Sequence, residues 1–518
     1  MNFFALRSIP ILLLCSFSIV SLSGQDRRFI EGKILITGTN EPVQFATVRL
    51  NSNNIGVFAN SDGDFRISNK REFLNDSLTI TCIGYLKTTL LFRSLSDSSE
   101  NRIYLTPSLY NLKEVKVTSS RKILGSQEMV RLAIKYMWKN CPRNGFSYTC
   151  YYRDYQKKEK QIQNLNEAII QVLDKGFNEL SIFNSSRLLD FRQNTDFPRV
   201  SLSPYYNETA TFDSSKPWKY IPSAKMGDQF GNEFFVLQVH DAIRNFRARS
   251  FSYINTLAAD FISNHFFGKP EPVYDNNLLL YRIYFNARSR LTGDSLLATG
   301  AIYIQPRDFS IHKLEYTCYY LTDGWKKKEM FNIKTEYDYE NSIGSKLYLK
   351  YISFNNLFRV ADPADTLFFR VTSSFMFPEK VKYNTVVLIF NHRIDPVSAQ
   401  VKDNYQVYDG TRAMRIKNIS VQGKRLILML KGSKPVKEGE LQVYVMNIKD
   451  VSGNIVNRRK TAELSQYREL FVQDHNQNIS FKDSCYMQYR PLDKNCISHP
   501  VNNEKYWMNT PGKITNNK

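Results

Sequence analysis

Histidine is scarce in this sequence, with six in 518 residues, and none of them stands in an HExxH pair or at helical spacing to another. A zinc hydrolase therefore has few ligands to draw on. The one HxxE spelling is His312 with Glu315. It lies in an alternating run, where positions three apart point to opposite faces of a strand and cannot close on one ion. His392, the nearest later histidine, falls in a different module. The seven cysteines form no CxxC and none sits at metal-ligand spacing from a histidine, which removes zinc-ribbon and dithiol redox readings. No Gly-x-Ser-x-Gly elbow, phosphate-cradling glycine loop, tandem repeat or low-complexity tract is present. Beyond the N-terminus no run approaches the roughly 20 apolar residues that a membrane-crossing helix needs. The expectation is a protein without a resident cofactor, metal or zinc carboxypeptidase activity, and without a transmembrane segment once the leader is cleaved.

What is present begins with that leader. Arg7 precedes an apolar run from Ile9 to Val20, followed by the small residues Ser21, Ser23 and Gly24. That order of charge, apolar core and small residues is the pattern of a secretory signal peptide, so residues 1–24 are read as removed on export. Leu14 before Cys15 argues against lipoprotein processing. The six cysteines left form an even set in a compartment that permits disulfides, and Cys141 with Cys150, and Cys485 with Cys496, are close enough to pair. Lys and Arg number 70 against 49 Asp and Glu. That excess suits a polyanion or reflects scattered solvated charges, since the densest clusters, such as Lys326 to Lys328, are three residues long. Export removes nucleic acid as the partner.

Length suggests about three domains. Residues 28–117 alternate short apolar runs with Gly, Asn, Asp and Pro clusters, the signature of a small antiparallel β-sandwich. Asp62-Gly63 is a tight hairpin signal, and Phe65 turns back into the core. From Ser126, the residues Val130, Ala133, Ile134, Met137 and Trp138 form one helical stripe that stops at Cys141-Pro142. Two strands follow, then a polar stretch, then a second predicted helix over Tyr253 to His265. Residues 278–360 read as a meander of strands, and 118–374 together as an α+β middle domain with a curved antiparallel sheet. Residues 375–466 read as a second sandwich of near-immunoglobulin size. Residues 467–518 read as a strand followed by a loosely ordered extension. The predicted class is mainly β and multidomain.

Gly32, Glu41-Pro42-Val43, Ala46-Thr47-Val48, Gly56, Asp62-Gly63-Asp64-Phe65, Ile83-Gly84-Tyr85 and Leu112-Lys113-Glu114-Val115 occur in that order. Together they resemble the carboxypeptidase-regulatory-like, or transthyretin-like, domain of Gram-negative envelope proteins. The resemblance implies a prealbumin-like β-sandwich without catalytic residues, of the kind also found in front of outer-membrane transporters. Val386 to Asn391, Asn404 to Val407, Arg425 to Leu430 and Leu441 to Val445, with Asn447 to Asp450 and Gly453-Asn454, resemble an S-layer-type Ig-like domain. The segment Gly300 to Ile304 is similar to a strand of envelope lipoprotein-carrier half-barrels. These resemblances imply a non-catalytic binding or scaffolding protein of the periplasm or outer membrane. Its partner would be an envelope glycan, a lipid or another envelope protein, including an outer-membrane transporter.

Candidate ligand-contact aromatics are Tyr151, Tyr152, Tyr205, Tyr206 and Trp218. The alternative is a glycan-directed hydrolase using carboxylates of the middle domain, with Asp260 and Glu271, or Glu233 and Asp241, as pairs. Asp62 and Asp64 are read as a hairpin rather than a calcium loop, which needs more oxygen ligands. Asp76-Ser77-Leu78, Asp294-Ser295-Leu296 and Asp365-Thr366-Leu367 match a short acceptor motif for envelope O-glycosylation, at Ser77, Ser295 and Thr366.

Overall fold

A computed structural model describes residues 29–511 except 52–55, 109–123, 160, 201–218, 222–223, 227–232, 251, 276–277, 323–325, 341–344, 362–364, 366, 379–382, 432–440, 459, 478–484, 488–491, 499–505 and 507. The signal segment 1–24, Tyr205, Tyr206, Trp218 and Thr366 lie outside the described residues.

The first unit is built from two small sheets. Phe29–Ile36 pairs antiparallel with Asp64–Ser68 and parallel with Asn101–Leu105. The facing sheet runs Gly56–Phe58, Thr47–Leu50, Ser77–Thr81, Thr88–Leu91. Alternation places Ile34, Ile67, Val48, Leu50, Leu78 and Ile80 between the sheets, all fully buried. Gly63 takes φ 77° in the hairpin, where Asn60 Oδ1 accepts from the backbone N–H groups of Asp62 and Asp64 at 2.8 Å. Gly32 leaves room for the Phe65 ring, which a Cβ there would meet at 2.4 Å.

The largest element is one antiparallel sheet. In spatial order its strands are Ser185–Gln193, Gln161–Asp174, Phe146–Lys158, Thr461–Asn476, Leu347–Ala361, Lys326–Tyr339, Ile311–Thr322, Leu296–Ile304, Leu278–Ala287 and His265–Phe267. Glu271–Asp275 also pairs with Leu278–Ala287. One face is covered by the helix Ser126–Asn140, through Met129, Val130, Ala133 and Met137, and by Glu233–His240, through Phe234 and Leu237.

Three local readings are corrected. Gly125, not Ser126, caps the first helix, and the Ser126 hydroxyl donates to the Gly268 carbonyl instead. Trp138 leaves the apolar stripe and is half exposed, while Met129 takes a buried place. Tyr253 to His265 is not one helix but a 3-10 turn at Ser252–Ile254, a single turn at Phe261–Asn264 and a strand from His265. Ser252 and Asn255 both adopt positive φ, which breaks helical continuity.

The strand expected from Tyr467 is present, but it starts earlier and lies elsewhere than at the end of a trailing extension. Thr461–Asn476 is a central strand, paired on one side with Leu347–Ala361 and on the other with Phe146–Lys158. A second two-sheet unit lies between these strands in sequence. Its sheets are Val371–Pro378, Tyr383–Phe390, Arg425–Lys431, Ile416–Gln422 and Arg412–Ala413, Tyr405–Asp409, Leu441–Val445, closed over Leu388, Phe390, Leu426, Leu428 and Ile448. The later residues are also fastened. Cys485 is bonded to Cys496, and the backbone N–H groups of Met487 and Ser498 donate to Ser186 and Leu188 of the edge strand, each at 2.8 Å. Cys141 and Cys150 are separate buried thiols, one ending the first helix and the other donating to the Ile170 carbonyl at 3.3 Å inside the sheet.

Candidate functional site

The face of the large sheet turned away from the helices carries rows of charged and amide groups beside one aromatic patch formed by Tyr151, Tyr351 and Phe471. Strand register sorts its side chains into rows that cross the strands, because residues directly opposite share a face. The middle row runs Tyr284, Ala301, Glu315, Lys334, Ser353, Glu469, Arg153, Glu167 and Arg192, each opposite the next. A parallel row runs Asn286, Thr299, Thr317, Asn332, Asn355, Tyr467 and Tyr155.

The first sandwich docks on this face. Phe45 stacks on Tyr351 with ring centroids 4.9 Å apart, and Phe58 stacks on Phe471 at 5.4 Å. Phe45 takes φ 57°, a backbone region that costs a bulky residue about 1–2 kcal/mol, and its packed ring offsets that cost. Lys157 pairs with Asp62, the Lys334 ammonium donates to Gln44 Oε1, and the Gly84 N–H donates to the Tyr274 carbonyl at 3.1 Å. The C-terminal residues close the join: Asn509 Nδ2 donates to the Phe58 carbonyl at 2.8 Å, while its own carbonyl accepts from Arg153 Nη1 at 2.8 Å.

Beneath that join the charges are buried and paired. Arg153 and Glu469 are 1% and 0% exposed and meet at 2.5 Å. Glu167 accepts from Arg192, Asn194, Tyr151 and Thr510. Tyr151 and Tyr152 are fully buried and so are packing residues rather than loop platforms.

Toward the other end of the sheet the sandwich stands off and leaves a cleft of about 490 Å³. One wall is Gln44, Ser61 and Asp62 of the sandwich. The floor holds Glu315 and Lys334 of the middle row and the amide and hydroxyl row from Asn286 to Asn355, with Tyr284, Tyr319, Glu329 and Tyr467 beside them. Burial works to raise the Glu315 carboxyl, but Lys313, Lys334 and hydrogen bonds from Lys313 and Tyr303 hold it below the usual range. Burial lowers the Lys334 ammonium, partly opposed by Glu315.

Three carboxylates, Asp62, Glu315 and Glu329, line the cleft, Asp62 paired with Lys157 and Glu315 with Lys313. Glu315 lies opposite Lys334, and Glu329 lies opposite Tyr319, so their backbones are offset by roughly 13 Å along the strands. Asp260 accepts from the Thr256 N–H in a turn at 3.0 Å, and Glu271 pairs with Arg282 at 2.7 Å. Asp241 is buried under the helix face, where its carboxyl, raised to about 6 by burial, accepts from the Tyr337 hydroxyl. The Glu233 side chain lies outside the described residues. His312 is buried among Ser310 and Tyr339 on the helix face, whereas Glu315 faces the sandwich. Among the described residues no group of three or more His, Cys, Asp or Glu could hold a metal ion, and no helix there is long and apolar enough to cross a membrane. Ser77 accepts from Asn51 in a strand and Ser295 is exposed beside a turn.

Sequence reasoning missed the cleft residues Gln44, Thr317, Asn332, Lys334, Asn355 and Tyr467. Their alternation with core positions was visible, but it carried no sign that the polar side would be roofed.

Residues 30–117 match the family model described as CarboxypepD_reg-like domain, so the docked sandwich is a carboxypeptidase-regulatory-like β-sandwich within a mainly β, multidomain chain. No curated protein matches the chain.

Proposed function

We propose that this chain is an exported, non-catalytic binding or scaffolding protein of the Gram-negative envelope, and that the cleft between its first sandwich and the large sheet is the binding site. The observation that carries the proposal is a polar floor facing the sandwich across the cleft, in which Asn355 Oδ1 and, on the opposite wall, Ser61 Oγ are buried without a hydrogen-bond partner among the described residues. The cleft volume falls in the usual range of about 300–1,000 Å³ for ligand sites, and its lining is more polar than most. Two of the three lining carboxylates are held in ion pairs, Asp62 with Lys157 and Glu315 with Lys313, which favours binding over hydrolysis. On this reading residues 375–466 supply an S-layer-type Ig-like spacer, and secretion places the protein in the periplasm or at the outer membrane.

The test is calorimetric titration of the full secreted chain with lipopolysaccharide, envelope polysaccharide and peptidoglycan fragments, at low and physiological salt, beside Thr317→Trp, which fills the cleft. Saturable heat that survives salt and disappears in Thr317→Trp is the expected result. Equal binding by the variant, or heat that vanishes with salt, refutes the cleft as a specific site. Release of new sugar reducing ends, abolished by Glu315→Gln, would establish the hydrolase instead.

A further inference from the structure

Resting on that reading of the cleft, we infer that its ligand is an uncharged, extended glycan chain lying across the strands. Asn286, Thr299, Thr317, Asn332 and Asn355 come from five consecutive strands, each directly opposite the next. Neighbouring strands stand about 4.8 Å apart, so a side-chain amide or hydroxyl recurs at that interval over roughly 19 Å. A β-linked sugar chain presents ring hydroxyls at nearly the same repeat. Amides and hydroxyls both donate and accept, which is what sugar hydroxyls require of a partner.

Two further observations point the same way. Within the row Asn332 Nδ2 donates to Thr317 Oγ1 at 2.6 Å, but buried Asn355 Oδ1 has no hydrogen-bond partner among the described residues, and neither has Ser61 Oγ on the opposite wall. Buried polar atoms left this way are costly unless a ligand completes them. Tyr467 follows Asn355 in the row and lines the cleft, its ring stacked on Tyr155 with centroids 5.0 Å apart and planes 3° from parallel and with the Lys157 ammonium 4.8 Å from its centroid, so a packed aromatic group adjoins the amide row.

The charge of the lining selects against other occupants. Of the lining carboxylates Asp62 is paired with Lys157 and Glu315 with Lys313, and Lys334 donates to Gln44, so the lining offers a polyanion no excess of positive charge despite the basic character of the chain as a whole. A lipid tail would find a floor of amides and hydroxyls that it could not satisfy.

The experiment titrates the full secreted chain with β-linked glucose and N-acetylglucosamine mono-, di-, tetra- and hexasaccharides, together with lipopolysaccharide core fragments and peptidoglycan stem peptides. Melting curves check that each variant is folded. The expected result is affinity rising roughly tenfold from di- to tetrasaccharide and falling roughly tenfold in Asn332→Ala/Asn355→Ala at unchanged salt dependence. Affinity independent of chain length, or an unaltered double variant, overturns the inference. If sugars fail while a core fragment or stem peptide binds and is lost in Thr317→Trp, the glycan assignment falls and the cleft survives. If a probe binds and Thr317→Trp leaves it unchanged, or if no probe binds at all, both readings fall.

Discussion

Arg153→Met removes the cation from a site where Glu469 has no access to water. The two side chains sit directly opposite each other on neighbouring strands, 1% and 0% exposed, with the guanidinium between the rings of Tyr151, Tyr155 and Phe471 at 5.3–5.9 Å. Breaking one side of such a pair strands a buried charge and costs about 3–5 kcal/mol. Glu469→Met should cost a similar amount, since it leaves the buried Arg153 with the neutral Asn509 carbonyl and the Tyr151 hydroxyl in place of a carboxylate. Replacing both removes the desolvation penalty with the attraction, and methionine fills the space among the rings. The double variant should therefore recover most of the loss, leaving a coupling energy of several kcal/mol. A chain of this many units need not unfold in one step. The assay is native-state hydrogen exchange of peptides covering Phe146–Lys158, which reports the opening free energy of that part of the sheet. Two single losses that add in the double variant to within about 0.5 kcal/mol would refute the argument.

Two other perturbations follow from the same geometry. Burial holds His240, His265 and His475 near 4, so their contribution to stability is present above the ordinary 6.5 and is lost as pH falls through about 4. Asp241 and Asp275, raised to about 6 mainly by burial, act oppositely, stabilising at low pH and losing that as pH rises through about 6. His312 is lowered in the same sense as the three histidines, so stability should fall on acidification from pH 6.5 to 4.5, and a melting temperature that rises over that range would contradict this. Gly32→Ala places a methyl against the Phe65 ring and the Asn101 carbonyl, within 3 Å of both, and should destabilise the first sandwich by about 1–3 kcal/mol; unchanged urea unfolding of that unit would show that the ring can move aside.

The sequence by itself determined the first sandwich almost residue by residue, because its turns demand particular chemistry: positive φ at Gly63 and close ring approach at Gly32 leave few alternatives. It also determined the meander from Leu278 onward and the helix before Cys141, because apolar periods of two and of nearly four residues declare which face is buried. It could not tell that Thr461–Asn476 returns past the second sandwich to the middle of the sheet. A strand's pattern states which side faces a core but not which strand it pairs with, and this pairing joins residues over three hundred positions apart. The cleft was hidden for the same reason. Gln44, Thr317, Asn355 and Tyr467 read as ordinary solvent-facing positions of four separate segments. Only the docking of the sandwich, fixed by Phe45, Phe58 and Asn509, turns those polar positions into one roofed surface, because burial is a property of the neighbours a residue acquires and not of the residue itself.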